Sequence, residues 1–269
     1  NNRYSRCSHL PQLVAVVDFS DSIDNSSAVD GGLLSVIGNK RVVLCQVPIC
    51  NIHRKKIKRK LMKIVIFNVG PALSAYIEMG SNKIVVDLGK GNDFSMVNDF
   101  LLPLFKKRGK LKYLRDKYYL SQVFISHPHL DHISDLDDLE KHFYINLFTT
   151  PNDLSKGSES YKNVNWNLVD DPGSNEVKKV KEVYKGRYLP LRVCDPSRMT
   201  IGYLYPGWVE NNSTLRNESY TNNISIVLYI HSGYRIFFAA DIQKEGMKKL
   251  LEDNPELNKK LGQGVDFLV

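Results

Sequence analysis

Cysteine is scarce in this chain. Four stand in 269 residues (Cys7, Cys45, Cys50 and Cys194), and none form a C-x-x-C pair. That excludes a disulfide framework and a cysteine-ligated zinc site, and it makes a reducing cytoplasm the default compartment. Long apolar runs are also missing. The best one, from Leu33 to Cys50, is broken by Asn39, Lys40 and Arg41, short of the roughly 20 apolar residues a membrane span needs. There is no basic-then-apolar entry of the secretory kind, and the chain opens on Asn1 rather than Met. Internal repeats and low-complexity tracts are absent. What remains is 42% apolar and 25% charged, the profile of a globular protein. The length allows one large domain, or one domain with an appendage.

The net charge of +8 would normally point to nucleic acid, but it is unevenly placed. Residues 1–61 hold 10 Lys/Arg against 4 Asp/Glu; the rest of the chain holds 27 against 25. Most of the excess is one run, His53 to Lys60, in which Arg54, Lys55, Lys56, Lys58, Arg59 and Lys60 could grip phosphates. The plainer reading of such a run is a basic linker. The body of the protein is nearly neutral, so charge alone names no substrate.

Organisation changes near Met62. Residues 1–61 read as a leader or extension ending in the basic linker 53–60. After it, Met62-Lys63-Ile64-Val65-Ile66-Phe67 is a clean strand running into a Gly turn. Further strands are predicted near 74–79, 83–87 and 122–126. Helical spacing marks Phe94 to Lys107, which Pro103 should kink or end, and a helix is expected from about 133 to 142. The stretch 150–200 reads as long loops with a short helix near 176–184. A strand near 200–205 then precedes two strands, 224–230 and 234–239, which flank His231-Ser232-Gly233 as a hairpin. A helix near 243–252 and a short strand at 265–269 end the chain.

The chemistry sits in His127-Pro128-His129-Leu130-Asp131-His132. Imidazole nitrogen and carboxylate oxygen are the ligands that borderline cations such as Zn²⁺ or Mn²⁺ take. His127 and His129 are two apart, so on extended backbone they face the same way and can share one ion. The chain must then turn, which lets Asp131 and His132 face a second position. Two ligand pairs on one bend point to two divalent metals, with zinc first and manganese second. The cluster follows a buried strand, Gln122 to Ser126, at the strand-to-loop junction where catalytic groups of α/β sheets collect. The other histidines (His9, His53, His142, His231) read as surface or packing residues.

From Met62 onward the chain resembles the metallo-β-lactamase fold, an α/β four-layer αββα sandwich. More narrowly, it resembles the hydrolase domain of the competence protein ComEC and its free-standing relatives. The match rests on Phe67-Asn68-Val69-Gly70, on Val85-Val86-Asp87-Leu88-Gly89, on Ser126 to His132, and on Asn223-Ile224-Ser225 through Ala240-Asp241. The resemblance implies that His127 and His129 bind a first metal and that Asp131 and His132 bind a second. Asp131 also enters catalysis, Asp241 bridges the two metals, and Asp87 stands behind the histidines to orient an imidazole. Taken alone, Asp241 reads as a helix N-cap before Ile242-Gln243-Lys244, and Asp87 as part of an ordinary turn.

Three departures stand out. Gly70-Pro71-Ala72 replaces the Gly-Gln-Gly common in relatives. Tyr205 stands where many members have a histidine. The family's last histidine follows a strand that here ends Asp266-Phe267-Leu268-Val269, so the expectation is a sandwich lacking its final strand and helix. Metal coordination brings the pKa of bound water near neutrality, so the resemblance implies a metal-dependent hydrolase. Phosphodiesters of DNA or RNA are the first substrate class. Small esters, lactones or thioesters are the second, and a degenerate metal- or partner-binding module is the non-enzymatic alternative.

Overall fold

The computed structural model describes residues 13–18, 34–37, 40–43, 62–109, 116–151, 163–170, 172–184 and 192–269. The basic run at 53–60 lies outside the described residues.

Two sheets face each other. The larger takes β1 (Leu13–Asp18), β4 (Met62–Phe67), β5 (Ser74–Met79), β6 (Asn82–Leu88), β7 (Tyr118–Phe124) and β8 (Phe143–Thr149) in that spatial order. Its pairs from β1 to β6 are antiparallel, and β6, β7 and β8 run parallel. The edge strand β1 comes from the leader segment. A separate hairpin joins β2 (Leu34–Ile37) to β3 (Lys40–Val43). The second sheet orders β12 (Phe267–Leu268), β11 (Arg235–Phe238), β10 (Val227–His231) and β9 (Met199–Gly202).

Period-two alternation explains the layering. Ile64, Ile77, Ile84 and Val86 of the first sheet meet Met199, Leu228, Ile230 and Phe238 of the second in one buried cluster. Their neighbours Val65, Tyr76, Val85, Val227, Tyr229 and Phe237 point away and lie in the other cluster, with outer-layer helical residues such as Phe105, Leu139, Leu250 and Leu257. Strands buried on both faces cannot alternate apolar with polar, so they read as continuous apolar runs. Each buried aliphatic or aromatic side chain contributes roughly 1.5–3 kcal/mol. Helices cover the outside, giving the αββα sandwich expected from the sequence.

The segment predicted as one helix at 94–107 is a π-helical turn, Met96–Leu101, running into α1 (Leu102–Lys107) with Pro103 in its first turn. The predicted 133–142 helix is two pieces, α2 (Leu130–Ile133) and α3 (Leu136–His142). The loop region holds α4 (Asn175–Tyr184). Three helices went unpredicted: α5 (Pro206–Asn211), α6 (Ser213–Asn223) and α8 (Pro255–Leu261), the last following α7 (Lys244–Asp253). Strands β1, β2, β3 and β8 went unpredicted as well, and the first hairpin strand starts at Val227 rather than 224. Among the described residues no helix is long and apolar enough to cross a membrane.

Candidate metal centre

The carboxyl ends of β6, β7 and β11 and the amino end of β10 meet at one edge of the sandwich. A backbone bond from Ile226 N–H to Ser126 carbonyl (2.9 Å) ties the two sheets together there. Every predicted site residue from Asp87 onward lies at this edge.

Asp87 is fully buried and has a left-handed backbone, φ 54°. Such a conformation costs an L-residue on the order of 1 kcal/mol and is tolerated best by Asp and Asn. Its carboxylate accepts from Ser126 N–H (2.7 Å) and Ser126 hydroxyl (2.8 Å), and it faces His132 Nδ1 at 2.8 Å. Asp87 therefore braces the strand end and sets the His132 ring. The opposite ring nitrogen, His132 Nε2, is buried and has no hydrogen-bond partner. It points towards Asp241 Oδ2 at 3.5 Å and Asp131 Oδ1 at 3.9 Å.

His127 is fully buried. Its Nδ1 lies near the hydroxyls of Ser126 (3.0 Å) and Ser225 (3.2 Å). Its Nε2 faces His129 Nδ1 at 2.8 Å and Asp241 Oδ2 at 3.9 Å. The two imidazoles converge, as the two-residue spacing allows, but His129 and Asp131 lie outside the three-residue group whose ligand atoms cluster. His127, His132 and Asp241 each place a ligand atom within 4.8 Å of the other two.

Asp241 follows Ala240, whose φ of 52° is also left-handed. The cap of α7 is Gln243, not Asp241, so the plain capping role does not apply. The turn carrying Asp241 is pinned by Asn223, whose buried Oδ1 accepts from Gln243 N–H (3.0 Å) while its Nδ2 donates to Leu215 carbonyl (2.9 Å). His129 Nε2 meets Asp170 Oδ2 at 2.6 Å. Asp170 was not predicted; no local motif surrounds it.

The electrostatics favour a positive charge here. Burial works against the charged form of His132, yet Asp87 and Asp241 outweigh it and push its pKa up to about 10. Burial, then the neighbouring His132 and His129, hold His127 well below the usual imidazole value, so it stays neutral. The close approach of the His132 ring lowers the Asp241 carboxyl, against the burial that would raise it. A neutral imidazole, an unpartnered buried ring nitrogen and an ionised carboxylate converging on one space are the donor set a divalent cation takes. The residues fit the metal that the sequence pattern implies. Asp131 is part-exposed and lies beside His132. Tyr205, which departs from the histidine that the sequence resemblance implies, caps the start of α5 and packs its ring against Trp208 (5.0 Å).

Comparison with known proteins gives this architecture a family. The family model of the metallo-beta-lactamase superfamily matches residues 69–204, which takes in Asp87 and the His127–His132 bend and ends before Asp241. The chain belongs to this superfamily, whose members are mostly metal-dependent hydrolases. Two solved structures are similar to it. One is AidC, a dizinc quorum-quenching lactonase in complex with a product, N-hexnoyl-L-homoserine: 15% identity, TM-score 0.32, covering 66% of this chain and 57% of AidC. The other is a Thermotoga maritima protein described as a metallo-beta-lactamase: 17% identity, TM-score 0.35, covering 66% of this chain and 77% of that one. The chain thus spans little more than half the length of AidC. No curated protein matches it.

Proposed function

We propose that this protein is a dinuclear metal-dependent phosphodiesterase of the ComEC-like branch, acting on DNA or RNA with zinc as its first-choice metal. The observation that carries the reading is the convergence of His127 Nε2 and His132 Nε2 on Asp241 Oδ2. His127, His129 and Asp241 would hold one ion; Asp131, His132 and Asp241 would hold the other, with Asp241 shared. Bound divalent ions supply Lewis acidity and bring a water's pKa towards neutrality. The chain's own part is positional. Asp87 and Ser126 fix ring orientations, burial keeps His127 uncharged, and Asn223 holds the turn that presents Asp241.

The choice of phosphodiester rests on the Asn223-Ile224-Ser225 and Pro128-His129-Leu130-Asp131-His132 patterns. The carboxylates of Asp131, Asp170 and Asp241 are part-exposed, which suits an extended substrate lying across the edge. The basic run Arg54 to Lys60 is the proposed phosphate-gripping segment, and its loss should flatten the salt dependence of binding. The test is cleavage by the full chain loaded with Zn²⁺ or Mn²⁺. Plasmid DNA and single-stranded RNA are compared with a panel of lactones and thioesters, and His129→Ala serves as the inactive control. Turnover of nucleic acid lost in His129→Ala supports the proposal. Turnover confined to the small esters assigns the same centre to the other substrate class.

A further inference from the structure

The three imidazoles of the candidate centre are each backed from outside, but by different groups. His132 Nδ1 meets the Asp87 carboxylate at 2.8 Å. His127 Nδ1 meets two serine hydroxyls. His129 is backed through its other nitrogen: Nε2 lies 2.6 Å from Asp170 Oδ2, and Nδ1 faces inward. An ionised carboxylate only accepts, so a ring hydrogen of His129 must sit on Nε2 to meet it. That leaves Nδ1 facing inward, 2.8 Å from His127 Nε2.

Asp170 is in turn held in place. Its N–H donates to the buried Thr221 hydroxyl (3.1 Å) near the end of α6. The same segment is anchored further back, where Asn165 N–H donates to the Tyr220 hydroxyl (2.9 Å) and Asn165 Nδ2 donates to Glu210 (2.8 Å). Val164 and Val169 are buried between these points. Residues 163–170 are therefore a fixed wall packed on α6, with the Asp170 side chain at its end. Hydrogen bonding from His129 lowers the Asp170 carboxyl, in keeping with an acceptor role.

We infer that Asp170 is a positioning residue which fixes the His129 ring with Nδ1 unprotonated and aimed at the first metal position. His129 would otherwise be the least constrained ligand, since its side chain is part-exposed while those of His127 and His132 are almost wholly buried. A carboxylate partner behind a ligating imidazole fixes its tautomer and raises its basicity, and losing one typically costs roughly 10- to 100-fold in metal affinity. The inference rests on the metal-centre reading above.

The test uses the full chain with Asp170→Ala, which removes the acceptor, and Asp170→Glu. Ring ¹⁵N chemical shifts of His129 are read in the metal-free protein, and Zn²⁺ and Co²⁺ affinities are measured by chelator competition. Asp170→Ala should move the His129 ring signals away from the Nε2–H form and weaken the first metal by roughly 10- to 100-fold. Its metal-free melting temperature should be unchanged, because the Asp170 side chain is 62% exposed. Asp170→Glu should restore part of the affinity. Unchanged ring signals in Asp170→Ala overturn the inference, whatever the metal result. A wild-type chain that takes up no metal overturns the metal-centre reading instead, and the ring signals alone then decide the role of Asp170.

Discussion

Asp241 Oδ2 stands 3.5 Å from His132 Nε2, the buried ring nitrogen that has no hydrogen-bond partner. The two atoms come from different sheets: His132 from the bend after β7, and Asp241 from the turn after β11. Neither needs the other for folding, since Asp241 is 43% exposed. Asp241→Asn keeps the size of the side chain and removes its charge. On the proposed dinuclear reading, the zinc content of the purified protein should fall from two equivalents to one or none, while metal-free stability changes by no more than about 1 kcal/mol. Elemental analysis beside a urea melt separates the two effects, and an unchanged two equivalents would count against Asp241 as the shared ligand.

Ala240 occupies left-handed backbone at φ 52°, where glycine carries no steric penalty. Ala240→Gly should therefore raise the stability of the metal-free protein by about 0.5–1 kcal/mol, less whatever the freer unfolded chain gives back. Zinc affinity should fall at the same time, because the turn that presents Asp241 becomes looser. Local strain concentrates at sites where it fixes geometry, so a gain in stability coupled to a loss of affinity is the outcome that fits. A loss of both, seen in paired denaturation and chelator-competition curves, would mean that Ala240 is not strained.

The sequence showed the parts of this molecule that depend on neighbours along the chain. Strands β4 to β7 of the larger sheet announce themselves as β-branched and aromatic runs, and the His127–His132 bend carries its candidate ligand spacing within six residues. Strand β8 was missed although Phe143-Tyr144-Ile145-Asn146-Leu147-Phe148 has strand composition, because α3 passes into it without a turn residue; Phe143 is at once helix cap and first strand residue. Helix α8 had a readable start, since Asn254 caps it by accepting from Leu257 N–H and Pro255 opens it. Helix α6 had none. It is rich in Asn, Ser and Thr, and Ser219 breaks its helical backbone, so tertiary bonds rather than propensity hold it. Asp170 was invisible for a related reason. It meets His129 across 41 positions of sequence, through a segment whose only guide is its packing on α6.

Acid should destabilise the fold through Asp138. Hydrogen bonds from Lys141 and then Lys90 hold its carboxyl down to about 2, against an ordinary value of 3.8. The folded state therefore binds fewer protons than the unfolded chain across that window. The stabilisation is fully present above about pH 4 and is lost as pH falls from there towards about 2. Lys90→Met keeps the apolar stem and removes one of the two cations, so the acid-unfolding limb should move to higher pH. The shift should shrink in 1 M salt, where screening acts within about 3 Å. At neutral pH the same change also takes the ammonium 3.2 Å from buried Asp135 and should cost roughly 1.5–3 kcal/mol. Urea melts across pH 2–7 at two salt concentrations check both parts, and an acid limb that stays in place in Lys90→Met would exclude this role for Lys90.

Gly89 links the fold to the site by close approach. It ends the Asp87-Leu88-Gly89 segment, and its N–H donates to Leu73 carbonyl (2.9 Å). A methyl group there would overlap the Asp131 carbonyl and the Ala72 methyl. The first of these is backbone of α2, which carries both Asp131 and His132, and the neighbouring Asp135 N–H donates to Leu88 carbonyl (2.7 Å). Relief of the overlap must therefore move either β6 or the His127–His132 bend. Gly89→Ala should cost about 1–3 kcal/mol, the range for overpacking, and should weaken zinc by more than the melting curve alone accounts for, because a shift at α2 displaces two ligands together. Chelator competition at a temperature where the variant is fully folded isolates that second effect. Wild-type affinity in a folded Gly89→Ala protein would show that the strain is taken up at the end of β6 and that the bend keeps its place.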